Sequence, residues 1–330
     1  MKFTLPAPRL LGEARQQSRG HALIVEILIF VLVFLAGSLL TGFAQIPAVI
    51  VLGRDALMDI FSAAASGDLS NVDVYIERFT SEITAHPMMN LISLFAFAVL
   101  TACVFFYCRV IEKRRLTTLG FRKRRALRAY LAGFGAGAGM FGATVLLCTL
   151  TGTLTFRGSS SDGALGMVAL FLLGFLIQGL AEEVVVRGYF LVSLARRQPL
   201  PVAVLVSALA FAAMHSLNSG VTPLALLNLT LFGVFAAVYL LKRGNIWGIA
   251  AFHAAWNFVQ GNVFGISVSG MAQMPSLFSF APSDGNALIN GGSFGLEGGL
   301  AVTLVYAVGI VVLLLSKSCD VEGAGEIIDN

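Results

Sequence analysis

Long apolar runs, separated by short polar or basic stretches, dominate this chain. A helix of about 20 mostly apolar residues can cross the hydrocarbon core of a bilayer. About eight such runs occur, at roughly 23–52, 88–109, 129–153, 165–194, 200–217, 223–241, 246–268 and 298–316. The pattern predicts an all-α fold, a polytopic transmembrane helical bundle with about eight spans. The first run is too long for a signal-peptide core and no small-residue cleavage site follows it, so it reads as a retained helix. Of the segments between runs, the first 20 residues read as a polar, basic tail. Residues 53–87 read as a solvated connector carrying Asp55, Asp59, Asp68, Asp73, Glu77 and Glu82, in which "VDVYIERF" suggests a short amphipathic helix at the interface. Residues 269–298 form a loop with Gly, Ser and Pro before the last run, and the tail "DVEGAGEIIDN" is acidic.

Composition places the chain in the membrane. Of its 330 residues, 57% are hydrophobic and 12% charged, against about a quarter charged in soluble domains. The mean hydropathy is +0.85. One side of the predicted topology collects Lys2, Arg9, Arg15, Arg19, the run from Arg109 to Arg128, Arg196, Arg197, Lys242, Arg243 and Lys317. The other side receives Arg54, Arg78 and Arg157. Positive charge marks the cytoplasmic face, so both termini are expected in the cytoplasm and the protein in the cell (plasma or inner) membrane. The net charge of +4 and the segment "EKRRLTTLGFRKRRALR" fit topology setting and anionic lipid contact, not nucleic acid. Cys103, Cys108, Cys148 and Cys319 have no CxxC spacing and read as core packing. In "GFGAGAGMFGA" the pairs Gly133 and Gly137, and Gly135 and Gly139, are spaced for close helix approach in lipid, not for a phosphate loop.

The stretch "LAEEVVVRGYF" breaks the apolar pattern with Glu182, Glu183 and Arg187. An ionisable group at the bilayer centre costs roughly 2.5 to 3.5 kcal/mol even on the mildest scale. Residues four apart share a helical face, so Glu183 and Arg187 can pair while Glu182 points elsewhere. Two of the four histidines, His215 in "FAAMH" and His253 in "HAAWN", fall in later runs, each with a neighbour one turn away, Phe211 and Asn257. Counted from the cytoplasmic ends at about 1.5 Å per residue, Glu182 lies roughly 20 Å deep, His215 roughly 22 Å, Asn257 roughly 16 Å and His253 roughly 10 Å. All four are expected to line one cavity open to the cytoplasm. A carboxylate beside an imidazole can deprotonate water, and an imidazole with a carboxamide can hold the oxyanion formed when water attacks a carbonyl. The chemistry suggested is amide hydrolysis inside the membrane.

The motifs "EEVVVR", "FAAMH" and "HAAWN", in this order, resemble the EExxxR, FxxxH and HxxxN patterns of the CPBP family, the CAAX prenyl proteases and bacteriocin-processing enzymes also called Abi proteins. The resemblance covers roughly residues 165–265, which divides the chain into N-terminal helices with a basic loop (1–164), a catalytic core (165–265) and a last span with its flanking loop and tail (266–330). It implies an intramembrane endopeptidase, with a peptide or membrane-protein substrate, in which Glu182 and His215 activate water. His253 and Asn257 would form the oxyanion site, Glu183 with Arg187 would support the helix, and Phe211 would be a further supporting residue. Where the family often has an aromatic residue before the motif arginine, this chain has Val186. Family members are commonly described as metalloproteases, while a metal-free glutamate mechanism is the other possibility. If one zinc ion takes part, Glu182, His215 and His253 are its candidate ligands. Two other functions fit membrane carboxylates and histidines: a proton-coupled transporter and a non-catalytic scaffold or immunity protein.

Overall fold

The computed structural model describes residues 9–67, 70–159, 164–283 and 285–318. Lys2, Asp68, Cys319 and the acidic tail lie outside the described residues. Arg9–Gln17 forms α1, Leu23–Leu52 α2, Arg54–Ser66 α3 and Val72–Ala85 α4. Pro87–Phe106 forms α5, extended by a π-helical turn over Tyr107–Ile111, and Ala126–Leu150 forms α6. Ala164–Glu183 is α7, continued through a π-helical stretch, Val184–Leu191, into α8 at Val192–Ala195. Leu200–Met214 (α9), Pro223–Arg243 (α10) and Ile246–Phe258 (α11, with a π turn over Val259–Val263) follow. Ala287–Asn290 (α12) and Leu300–Leu315 (α13) complete the described helices.

Helices Leu23–Leu52, Pro87–Ile111, Ala126–Leu150, Leu165–Ala195 and Pro223–Arg243 are long and apolar enough to cross a membrane. Leu200–Met214 and Leu300–Leu315 are apolar but shorter. The chain is thus a polytopic all-helical bundle. Its outward surface carries the large apolar side chains that lipid requires, including Leu32, Leu39 and Val51 on α2 and Leu150 on α6. α11 packs between α6 and α7, α10 between α9 and α13, and α5 between α2 and α7.

Small residues set the closest of these contacts. A Cβ on Gly133 would meet the Gly248 carbonyl and one on Gly137 the Phe252 carbonyl, so α6 lies directly on the backbone of α11. Gly135 and Gly139 face open space, so only one of the two expected glycine pairs makes a contact.

Three expectations need correction. The N-terminal "tail" contains α1, docked on the bundle: Leu10, Leu11 and Ala14 are buried, and the Arg15 guanidinium donates to the Ala195 carbonyl at 2.9 Å. Three apolar positions on one side of a nine-residue helix were hidden by the basic residues around them. The connector at 53–87 does hold the helix expected at "VDVYIERF", within the exposed α4, and α3 packs against it with Arg78 paired to Asp59 at 3.0 Å. The loop at 269–298 supplies a strand, β2 (Phe278–Pro282), antiparallel to β1 (Leu154–Ser159). Neither strand alternates strongly in sequence, and Phe156, Phe278 and Phe280 bring the ribbon together. Finally, the fifth run stops at Met214, with His215 as its C-terminal cap, and the seventh ends its helical course at Val263.

At the end of the bundle rich in Lys and Arg, several charges are buried in a network and do not face water. Arg196 pairs with Glu26 at 3.3 Å and Glu112 at 2.7 Å, and Arg114 pairs with Glu112 at 3.0 Å. Arg114 also donates to Ser193 Oγ at 2.9 Å. The network ties α2, the segment after α5 and the end of α8 together.

Candidate active site

The side chains of Glu182, Glu183 and Arg187 hang from the junction where α7 passes into its π-helical stretch. Widening to π geometry inserts a residue into the helical repeat and re-aims the side chains around it, a device common at functional sites. Gly179, one turn earlier, lets α7 approach α11: a Cβ there would lie 2.7 Å from the Ala254 backbone nitrogen. Without that approach neither glutamate would reach His253.

Glu183 is completely buried and serves two partners. Its Oε1 accepts from Arg187 Nη1 at 3.1 Å and from His253 Nδ1 at 2.9 Å. The guanidinium of Arg187 is also completely buried, its carbon 4.4 Å from the Phe211 ring centre and 5.1 Å from that of Phe232. Those ring faces supply the cation–π attraction that a second carboxylate would otherwise have to supply.

Glu182 faces the other way, into the cavity. Its Oε1 accepts from Gln178 Nε2 at 2.6 Å, and Gln178 Oε1 in turn accepts from Asn257 Nδ2 at 3.0 Å. Glu182 Oε2 is buried and has no hydrogen-bond partner. It lies 4.0 Å from His215 Nε2 and 3.8 Å from His253 Nε2. Both imidazoles are tethered through Nδ1, His215 to the Phe211 carbonyl at 2.9 Å and His253 to Glu183. A carbonyl and a carboxylate only accept, so each tether assigns a proton to Nδ1 and leaves Nε2 facing Glu182. Separations near 4 Å are too long for direct hydrogen bonds and are those that a single water bridges.

The same three atoms have the donor chemistry of a catalytic zinc site. The two separations from Glu182 Oε2, 4.0 and 3.8 Å, are wider than that site requires: two ligands of one tetrahedral zinc ion, each about 2.0–2.1 Å from it, sit roughly 3.3 Å apart. Among the described residues no three His, Cys, Asp or Glu side chains meet at metal-holding spacing. The site as built does not fit the ion, and the chemistry below is derived from the side chains alone.

All four predicted site residues, Glu182, His215, His253 and Asn257, line one cavity of about 420 Å³, with Phe211 beside them. That volume is within the range of about 300–1,000 Å³ typical of ligand sites. The sequence reading omitted Gln178, which couples Glu182 to Asn257; an amide one turn before a glutamate in an apolar helix was its signal. It also omitted Asn228 and Glu297, which line the same cavity from α10 and from the segment before α13.

Among the described residues, none from the basic loops lines the cavity, whereas Asn218, Ser269, Met271 and Glu297 come from connections at the opposite end. Ser38, Thr41, Gly42 and Gln45, one face of α2, border it laterally.

The bundle and its polar cavity define a multi-pass membrane protein with a cluster of ionisable groups among its apolar helices. Residues 164–259 match the family model described as Type II CAAX prenyl endopeptidase Rce1-like. The match supports the CPBP family assignment carried by the three motifs, and with it an intramembrane endopeptidase of the CAAX type as the general class. No curated protein and no solved structure matches the chain.

Proposed function

We propose that the chain hydrolyses a peptide bond within the membrane, using a water held between Glu182 and His215. The observation that carries this is the buried, unpartnered Oε2 of Glu182, facing the Nε2 atoms of His215 and His253 at 4.0 and 3.8 Å. A buried carboxylate oxygen without a partner is costly unless something occupies the space beside it. Water in that space is within reach of the base that takes its proton.

In the reaction, the water oxygen attacks the scissile carbonyl carbon and its proton passes to Glu182. The carbonyl oxygen, now an oxyanion, takes hydrogen bonds from Asn257 Nδ2 and His253 Nε2. Because Nδ1 of His253 is committed to Glu183, Nε2 donates only in the doubly protonated ring, with Glu183 as counterion. Collapse of the intermediate breaks the C–N bond, and the proton held by Glu182 goes to the leaving nitrogen. Gln178 fixes the carboxylate's other oxygen, so Oε2 is the one presented to water.

Around this core, residues 165–265 supply the chemistry while 1–164 and 266–330 complete the walls. The basic loops and both termini face the cytoplasm of a plasma or inner membrane, with about eight spans in all. A peptide or membrane-protein substrate enters along α2 from the lipid. The test is turnover by purified full-length protein in nanodiscs. Glu182→Gln, His215→Ala and His253→Ala should each lower kcat by at least about a hundredfold with the fold intact; undiminished cleavage in all three would refute the proposal.

A further inference from the structure

Outside the three motifs, the cavity holds a second carboxylate. Glu297 sits in the short segment before α13 and is 7% exposed. Its Oε2 accepts from the Ser269 backbone nitrogen at 2.7 Å, from Ser269 Oγ at 2.7 Å and from Gln260 Nε2 at 3.4 Å. These contacts fix the side chain, while Oε1 makes no hydrogen bond among the described residues. Asn228 Nδ2 holds the backbone beneath it, donating to the carbonyls of Glu297 at 2.8 Å and Gly299 at 2.9 Å.

Among the described residues, those lining the cavity include two carboxylates, Glu182 and Glu297, two imidazoles, His215 and His253, and neither Lys nor Arg. The buried guanidinium of Arg187 is spent on Glu183 behind the aromatic faces of Phe211 and Phe232. In a water-poor cavity an uncompensated carboxylate attracts a cation and repels an anion, and the low dielectric strengthens both effects. A substrate whose free C-terminal carboxylate had to lie beside the scissile bond would find two carboxylates there, and as a cationic group only His253, whose charge is already matched by Glu183.

We infer that Glu297 is a specificity-determining residue that reads a protonated amine on the substrate, a Lys side chain or an N-terminal amino group, and that the cavity disfavours a free carboxylate in that place. The inference rests on the proposed peptidase function for the kind of ligand, not for the charge it selects. Glu297 Oε1 forms the ion pair, Ser269 and Gln260 keep it aimed, and Glu182 remains free for water.

Binding separates this from catalysis. Full-length Glu182→Gln protein in nanodiscs is titrated with one membrane-compatible peptide in four forms: unmodified, acetylated on its single Lys, acetylated on its N-terminus, and with a free carboxylate replacing its C-terminal amide. One of the two acetylations is expected to weaken binding about tenfold, which identifies the amine that is read. The free carboxylate should bind no better than the amide. Adding Glu297→Gln, which preserves an acceptor for Ser269, should reduce the tenfold ratio to below about twofold. Equal binding of unmodified and both acetylated peptides, a ratio unchanged by Glu297→Gln, or tighter binding of the carboxylate form would each overturn the inference. Turnover of the unmodified peptide by protein with Glu182 intact is measured in parallel. Charge-selective binding without turnover would strike at the peptidase function alone, and turnover without charge selection at Glu297 alone.

Discussion

Replacing Glu183 by glutamine removes one charge that two buried cationic or proton-bearing groups share. At 3.1 Å and an effective dielectric of about 20, the attraction between Glu183 and Arg187 is about 5 kcal/mol. Glutamine still offers Arg187 and His253 an acceptor, worth about 1 kcal/mol as a neutral hydrogen bond. The balance leaves a guanidinium buried between Phe211 and Phe232 with no counter-charge, and a loss of about 3–5 kcal/mol is expected. Adding Arg187→Met removes the stranded charge and leaves a flexible apolar chain in the same aromatic slot, so the double variant should recover most of the stability. It should not recover activity, because His253 Nδ1 still lacks its carboxylate and Nε2 is no longer a charged donor. Thermal unfolding in detergent, followed through Trp247 and Trp256, reads the first effect, and peptide turnover in nanodiscs the second. Wild-type stability in Glu183→Gln would refute the assignment of a buried ion pair. Restored turnover in the double variant would show that Glu183 serves Arg187 only and does nothing for His253.

Two further outcomes follow from the packing and the basic end. Gly137→Ala places a Cβ against the Phe252 carbonyl and should cost about 1–3 kcal/mol, while Gly135→Ala, which meets nothing within 4 Å, should be neutral or slightly stabilising; unfolding midpoints compare them directly. Burial on its own would raise the pKa of Glu112, but the guanidinium groups of Arg114 and Arg196 together outweigh it and hold the carboxyl below its ordinary value. A group whose folded pKa is lowered contributes stability at pH values above its unfolded pKa, about 4.3, and the contribution is lost as pH falls through the folded value. The unfolding midpoint should therefore drop on acidification below about pH 4.3, and the slope should be shallower in Glu112→Gln, which is also less stable at neutral pH.

The apolar runs made the long helices legible, because lipid leaves a spanning backbone no other way to satisfy its hydrogen bonds. The same physics exposed the site: Glu182, His215, His253 and Asn257 stood out against their apolar surroundings, and they do line one cavity. Spacing four apart was enough to pair Glu183 with Arg187. What the sequence concealed is set by tertiary contact. The burial of Arg114 and Arg196 depends on Glu112 and Glu26 from distant segments, and in sequence they look like any topology-setting basic loop. The ribbon of β1 and β2 joins segments more than a hundred residues apart, with no local alternation to announce it. Glu297 looked like a loop residue because the turn that carries it into the cavity is made by its glycine neighbours, Gly291 and Gly295 among them, at positive φ.

The central claim, a water shared by Glu182 and the two imidazoles, is tested most directly by an experimental map of the protein in lipid at a resolution that shows ordered water. One water peak is predicted within about 2.6–3.2 Å of both Glu182 Oε2 and His215 Nε2, with His253 Nε2 on its far side. Glu182 and His215 turned toward separate surfaces, with apolar side chains filling the space between them, would contradict it.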